Sequence, residues 1–218
     1  MTSVINTYEN RNNIKYINST LTNSIETIFD VSYTGSNTFD ISQDNVDSLI
    51  LQLNNLTTPV ASSLVQPTGF LEWEQFFAVY NVHKVDLEVT YVNESNHPVY
   101  VGIVLTPYSL FNGTWEQIRE TATNSPKEHM TLLSGKSGSK GVATFNITST
   151  IANIVGNYKH QNSSLEYSGA FQNPPIKEVY GLLYCLNNDG GLAPLGTTVL
   201  FHLNMKLHTT LYQSKLLQ

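Results

Sequence analysis

Six histidines, one cysteine, three neighbouring aspartates and a lysine-bearing glycine loop are the places where this 218-residue sequence has scope for chemistry. His83, His97, His129, His160, His202 and His208 show neither the His-x-His nor the His-Glu-x-x-His spacing that sets two imidazoles on one metal ion. His202 and His208 fall on one face of a strand, but at six residues' separation they stand about 20 Å apart, too far for a shared ion. Asp40, Asp44 and Asp47 resemble part of an oxygen-rich cation site, yet lack the glycine and the closing glutamate of an EF-hand loop. They are the only metal candidates, and a solvated loop is their expected setting. The segment Gly135-Lys-Ser-Gly-Ser-Lys-Gly141 contains Gly-Lys-Ser without the order of a phosphate-binding loop, and it opens a strand rather than a helix. It reads as a flexible hairpin connection whose Lys136 and Lys140 would meet phosphates if the loop faced a nucleic acid. Cys185 stands alone in an apolar run from Tyr180 to Leu186, with no activating cation close in sequence, and reads as a small core residue. No catalytic residue and no cofactor is expected, and the chain is not read as an enzyme.

The elements around these residues are strands. Ile25, Ile28, Val31 and Tyr33 lie in a Thr/Ser/Asp background, and Leu49, Leu51 and Leu53 alternate with polar neighbours. Val85, Leu87, Val89 and Tyr91 point one way while Asp86, Glu88 and Thr90 point the other. The turn from Asn93 to Pro98 joins this strand to an apolar one, Val99 to Leu105, and the two are expected to form a hairpin. Strands follow over Met130 to Leu133, Val142 to Ile147, Val179 to Leu186 and Thr197 to Leu211, the last alternating through Val199, Phe201, Leu203, Met205 and Leu207. Helical spacing gathers Trp73, Phe76, Phe77 and Tyr80 on one face of a short helix as core or interface aromatics. A second helix runs from Thr114 as N-cap to Ala122, with Trp115 and Ile118 on its apolar side, and a helical turn spans Ile151 to Val155. Residues 1–23 are polar and Asn-rich and read as an N-terminal arm; residues 24–218 read as one domain. Eight strands, few short helices and no βαβ succession predict an all-β fold, an eight-stranded antiparallel jelly roll of two four-stranded sheets.

Composition narrows the function classes. Hydrophobic residues make up 40% and aromatic residues 11%, enough for a core, while charged residues reach only 13%, against roughly 25% in ordinary globular domains. A polar surface poor in charge suits a protein whose surface is covered by other protein; a coding bias toward Asn gives the same numbers. A net charge of −6 excludes general attraction to nucleic acid or anionic membrane. No apolar stretch approaches a membrane span, and none near the start forms a signal region. Asn-x-Ser/Thr triplets at Asn18, Asn55, Asn93, Asn112, Asn146 and Asn162 read as products of an Asn- and Thr-rich composition.

Their order carries a resemblance. Trp73-Glu-Gln-Phe-Phe-Ala-Val-Tyr-Asn-Val82 leads into Lys84-Val-Asp-Leu-Glu-Val-Thr-Tyr-Val-Asn93, then an apolar strand ending at Leu-Thr-Pro107. Ser149-Thr150, Ile-Val-Gly156, an Asn-Pro-Pro175 entry to a strand and a final strand pair follow. From residue 70 onward the sequence resembles the single jelly-roll capsid proteins of small circular Rep-encoding single-stranded DNA viruses, themselves similar to small satellite virus coats. The resemblance implies self-assembly into a 60-copy T=1 icosahedral shell, assembled in the host nucleus or cytoplasm, packaging single-stranded DNA and residing in the virion. Interface loops are expected at residues 57–69, 112–127 and 157–175, and genome contact at Arg11, Lys15, Lys136 and Lys140. One departure stands out: that family begins with a Lys/Arg-rich arm, and this sequence shows none. Sixty copies at −6 each would carry about −360, repelling nucleic acid. The rival reading is a sandwich-type carbohydrate- or receptor-binding module, lectin-like or trimeric cytokine-like; a cupin-type enzyme would need clustered His and Glu ligands.

Overall fold

The structure, a computed structural model, describes residues 15–19, 22–33, 37–42, 44–61, 63, 65–108, 114–124, 128–136, 140–156 and 165–214. Its strands are β1 (Lys15–Ser19), β2 (Thr22–Ser32), β3 (Thr38–Asp40), β4 (Val46–Gln52), β5 (Phe77–Asn93), β6 (Val99–Thr106), β7 (Glu128–Leu133), β8 (Val142–Thr150), β9 (Gly169–Ala170), β10 (Tyr180–Asn187) and β11 (Thr198–Ser214). Three short helices interrupt them: α1 (Phe70–Glu74), α2 (Trp115–Asn124) and α3 (Ile151–Val155).

Eight of the strands make two antiparallel sheets of four, β2-β11-β5-β8 and β4-β10-β6-β7. The chain changes sheet at nearly every connection and its first and last core strands lie side by side, which is the jelly-roll order. The remaining strands all extend the larger sheet: β1 pairs with β2, β3 with β11 and β9 with β5. Period-two alternation builds the interior. Val199, Phe201, Leu203, Met205 and Leu207 of β11 and Val85, Leu87, Val89 and Tyr91 of β5 are all buried, facing Leu49 and Leu51, Val101 and Ile103, and Leu183 and Cys185 of the smaller sheet. Burial pushes the Cys185 thiol well up and keeps it neutral.

Two expectations are corrected. The segments 82–93 and 99–105 do not pair as a hairpin: β5 bonds to β11 and β8, whereas β6 bonds to β10 and β7. The Asn93–Pro98 segment is a corner between sheets. Asn93 fixes it, its amide donating to the His97 and Ser134 carbonyls at 2.8 and 3.0 Å while its side-chain oxygen accepts from the Ser95 amide. The aromatic stripe is likewise no single helix. α1 ends at Glu74, and from Phe77 the chain is strand, with Phe77, Val79 and Tyr80 opposite Ser214, Tyr212 and Leu211. Ladder bonding along a 17-residue partner outweighs a helix of barely one turn. Phe77 and Tyr80 are buried, Trp73 is half-buried against Phe77 and Phe76 is exposed.

α2 forms as read. The Thr114 hydroxyl accepts from the Gln117 amide while the Gln117 side chain accepts from the Thr114 amide, a reciprocal capping box. The helix lies on the outer face of the smaller sheet, where Ile118 and Trp115 pack with Val104, Leu182, Tyr184 and Leu186. Part of the expected arm is also regular, since Lys15–Ser19 pairs antiparallel with β2. Within the smaller sheet Gly102 faces Tyr184. A side chain on Gly102 would collide with the Tyr184 hydroxyl and the His129 carbonyl, and the Tyr91 hydroxyl donates to the Gly102 carbonyl at 2.7 Å.

Candidate functional site

Four connections meet at one end of the sandwich. Lys136 donates its amide to the Ser95 carbonyl at 2.6 Å, Ile41 to Thr197, Ala193 to Asp44 and Glu94 to Thr198. The expected loop cations Lys136 and Lys140 lie here and are exposed. Three large apolar side chains share this end in full contact with water: Leu192 at 76%, Leu195 at 81% and Val142 at 59% exposure. Arg11 falls outside the described residues, and of Lys15 only the backbone in β1 is described.

Asp40, Asp44 and Asp47 belong to the same end, where two of the three carboxylates serve backbone rather than metal. Asp47 accepts from the Asp40 and Ser48 amides at 3.0 and 2.7 Å, and Asp40 accepts from the Ser42 amide at 2.9 Å. Hydrogen bonds from Ser42 lower the Asp40 pKa, whereas burial raises that of Asp47. Among the described residues no group of three or more His, Cys, Asp and Glu is placed to hold a metal ion.

The opposite end is a packed corner. Of the loop expected at 57–69, Val60 is buried and bridges to Leu51 beside β4, with the Gln52 amide bonding the Pro59 carbonyl at 2.9 Å. Much of that loop therefore belongs to the domain's own edge. The loop at 112–127 contributes α2, which reaches back to the first end, where Trp115 donates its indole N–H to the Asn187 carbonyl at 2.9 Å. The loop at 157–175 is described only from residue 165.

Sequence reasoning missed the polar network at this corner. Asn54, fully buried, donates to the Lys177 and Tyr167 carbonyls at 2.8 and 3.3 Å and accepts from the Val179 amide at 2.8 Å. Glu178 accepts from the Tyr180 hydroxyl at 2.7 Å, from Gln52 at 3.2 Å and from Asn55 at 3.3 Å. Burial, with the bond to Glu178, pushes the Tyr180 phenol up to about 12. Burial does the same to Tyr80, whose hydroxyl donates to Asn55. Buried and bonded in this way, Asn55 and Asn93 are closed to glycosylation.

A second missed cluster spans the outer face of the larger sheet. Asp86 meets His208 at 2.6 Å, Lys84 at 3.2 Å and the Thr148 hydroxyl at 2.7 Å. Desolvation works against its charge, but those three partners prevail and bring its pKa down to about 2. His83 lies 6.4 Å from His208 between ring centroids, and burial lowers its pKa. Among the described residues no helix is long and apolar enough to cross a membrane.

The strand order defines a jelly-roll sandwich protein. No family model matches the chain and no curated protein matches it. Solved structures with a similar backbone include the Desmodium yellow mottle tymovirus, at 9% identity and a TM-score of 0.45, covering 98% of this chain and 95% of that one. A semi-empty VLP of the giant freshwater prawn Macrobrachium rosenbergii nodavirus is similar at 14% identity and a TM-score of 0.46, over 99% and 95% of the two chains. Cocksfoot mottle virus follows at 11% identity and a TM-score of 0.43, over 86% and 93%.

Proposed function

We infer that this chain is a viral coat protein that assembles with copies of itself into a closed shell. In full, the reading is a T=1 icosahedral particle of 60 copies enclosing single-stranded DNA. The observation that carries it is the loop end of the jelly roll, where Leu192, Leu195 and Val142 stand 59–81% in water. The other end exposes apolar side chains as well, Ile176 at 83% and Tyr108 at 75%. Large apolar groups standing in water on a well-packed domain support a surface that another protein covers. A heterologous contact repeated around closed symmetry is the arrangement by which identical chains cover one another. The low charge content and the order of sequence motifs from residue 70 onward support the same reading. Arg11 and Lys15 on the N-terminal segment, with Lys136 and Lys140 at the loop end, are the cations assigned to genome contact.

Size-exclusion chromatography with light scattering and negative-stain microscopy tests this. Sixty copies of a 24.3 kDa chain give a uniform particle of about 1.5 MDa. Replacing Leu192→Asp and Leu195→Asp together is expected to leave a folded, unassembled subunit. A native chain that stays a monomer or trimer across assembly-permissive salt and pH overturns the shell. Nuclease treatment of the extracted contents, DNase against RNase, reads the genome type.

A further inference from the structure

At the corner opposite the apolar loop end lies a cleft of about 480 Å³ lined by Pro107, Tyr108, Val155, Tyr167, Lys177, Glu178 and Tyr180. Its size falls within the roughly 300–1,000 Å³ range of small-ligand pockets. The walls come from four separate segments: the end of β6, the end of α3, the turn at Leu165–Tyr167 and the approach to β10. The buried Asn54 ties two of them together, since its amide bonds both the Tyr167 and the Lys177 carbonyls. The Lys177 amide also reaches the Glu166 carbonyl at 2.8 Å, and its ammonium meets the Glu166 carboxylate at 2.6 Å. Glu178 is held by three donors, Gln52 and Asn55 outside the lining and Tyr180 within it. The carboxylate and the backbone on either side of it are therefore held in place before any ligand arrives.

The groups presented define the ligand. Three tyrosines offer flat apolar faces with polar rims. A carboxylate has about four lone-pair positions, so Glu178 retains capacity to accept beyond its three bonds. Lys177 and Glu166 neutralise one another as an ion pair at 2.6 Å, which leaves the Glu178 carboxylate as the charge the ligand meets and disfavours an anion. A carboxylate acceptor beside tyrosine faces suits a ring with an apolar face and hydroxyl donors at its edge, and a cationic ligand is the competing outcome that the choline control reads. We propose that this cleft binds a neutral saccharide, one ring stacked on the tyrosines and its hydroxyls donating to Glu178. The proposal does not rest on the shell reading, because every group in it belongs to one subunit.

The test is saturation-transfer NMR on the full chain against methyl glycosides of glucose, galactose, mannose and N-acetylglucosamine, with choline as a cationic control. Tyr108 is 75% exposed, so Tyr108→Ala is expected to leave the fold intact, which an unchanged melting temperature checks. Transfer to a glycoside should be abolished by Tyr108→Ala, retained in Tyr108→Phe and weakened about tenfold or more by Glu178→Gln, the loss of one charge-assisted hydrogen bond. The proposal is overturned if no glycoside shows transfer, if transfer persists in Tyr108→Ala, or if choline is bound in place of the sugars.

Discussion

The two sheets of this molecule solve the same packing problem in different ways. The larger one alternates: along β11 every odd position from Val199 to Leu207 is buried, while His202 and Lys206 stand in water. The smaller one barely alternates. In β10 every residue from Gly181 to Asn187 is buried, and in β6 all but Tyr100. The cause is α2, which covers the outer face of the smaller sheet with Ile118 and Trp115 and makes a second apolar layer there. Runs of continuous hydrophobicity usually mark parallel sheets wrapped by helices. Here one ten-residue helix on an antiparallel sheet has the same effect.

Neighbouring positions break this comparison most severely. Leu183 faces the main core and Leu182 faces α2, so each changed to Ala should cost about 2–5 kcal/mol in denaturant unfolding. On β11 the same pair of tests diverges: Leu203→Ala costs about 2–5 kcal/mol, and His202→Ala stays within about 0.5 kcal/mol. Equal losses at 202 and 203 would show that the larger sheet is covered on both faces too.

Removing the cover is the next largest effect. Ile118→Ala should cost about 2–4 kcal/mol and expose apolar surface that binds a hydrophobic dye, with the larger sheet's amides keeping their exchange protection. A smaller loss, about 1 kcal/mol, is expected from Thr114→Ala, which removes half of the capping box that starts the helix. A stability unchanged by either substitution would mean that α2 is not what closes the outer face.

The outer face of the larger sheet yields the smallest effect, and it depends on pH. Three partners bring the Asp86 carboxyl down to about 2 in the folded chain, from about 3.9 for an unpaired aspartate. The unfolded state therefore takes up its proton first, so the contribution of Asp86 is complete above about pH 4 and is lost as pH falls toward 2. Asp86→Asn should flatten acid unfolding over that interval and change little at neutral pH, as expected for a part-exposed ion pair. A variant that follows the native acid transition would remove Asp86 from that account.

Most of this contrast was legible in the chain. Alternation placed β10 to within a residue at each end and found the cores of β5 and β11, though β5 begins at Phe77 rather than Val82 and β11 runs on to Ser214 rather than Leu211. The helix start at Thr114 followed from capping chemistry. Pairing was less legible, because Asn93–Pro98 has the length of a hairpin turn and the residues that bend it between sheets include Ser134, 41 positions away. The aromatic stripe misled because spacings of three and four residues fit a helix, while the strand that captured Phe77 and Tyr80 lies at the far end of the chain. Distance in sequence also hid the Asp86–His208 contact, 122 residues apart, and the Gln52–Glu178 bond, 126 apart. Their signal was limited to polar residues at strand ends and on strand faces, where solvation is the ordinary expectation.

One consequence of Gly102 reaches beyond this single sequence. Both the Tyr184 hydroxyl and the His129 backbone carbonyl occupy the space a side chain at 102 would need. A shorter residue at 184 would clear one obstacle and leave the carbonyl, which is fixed by the neighbouring strand. Among natural variants of this chain, glycine at 102 should therefore persist whatever residue stands at 184.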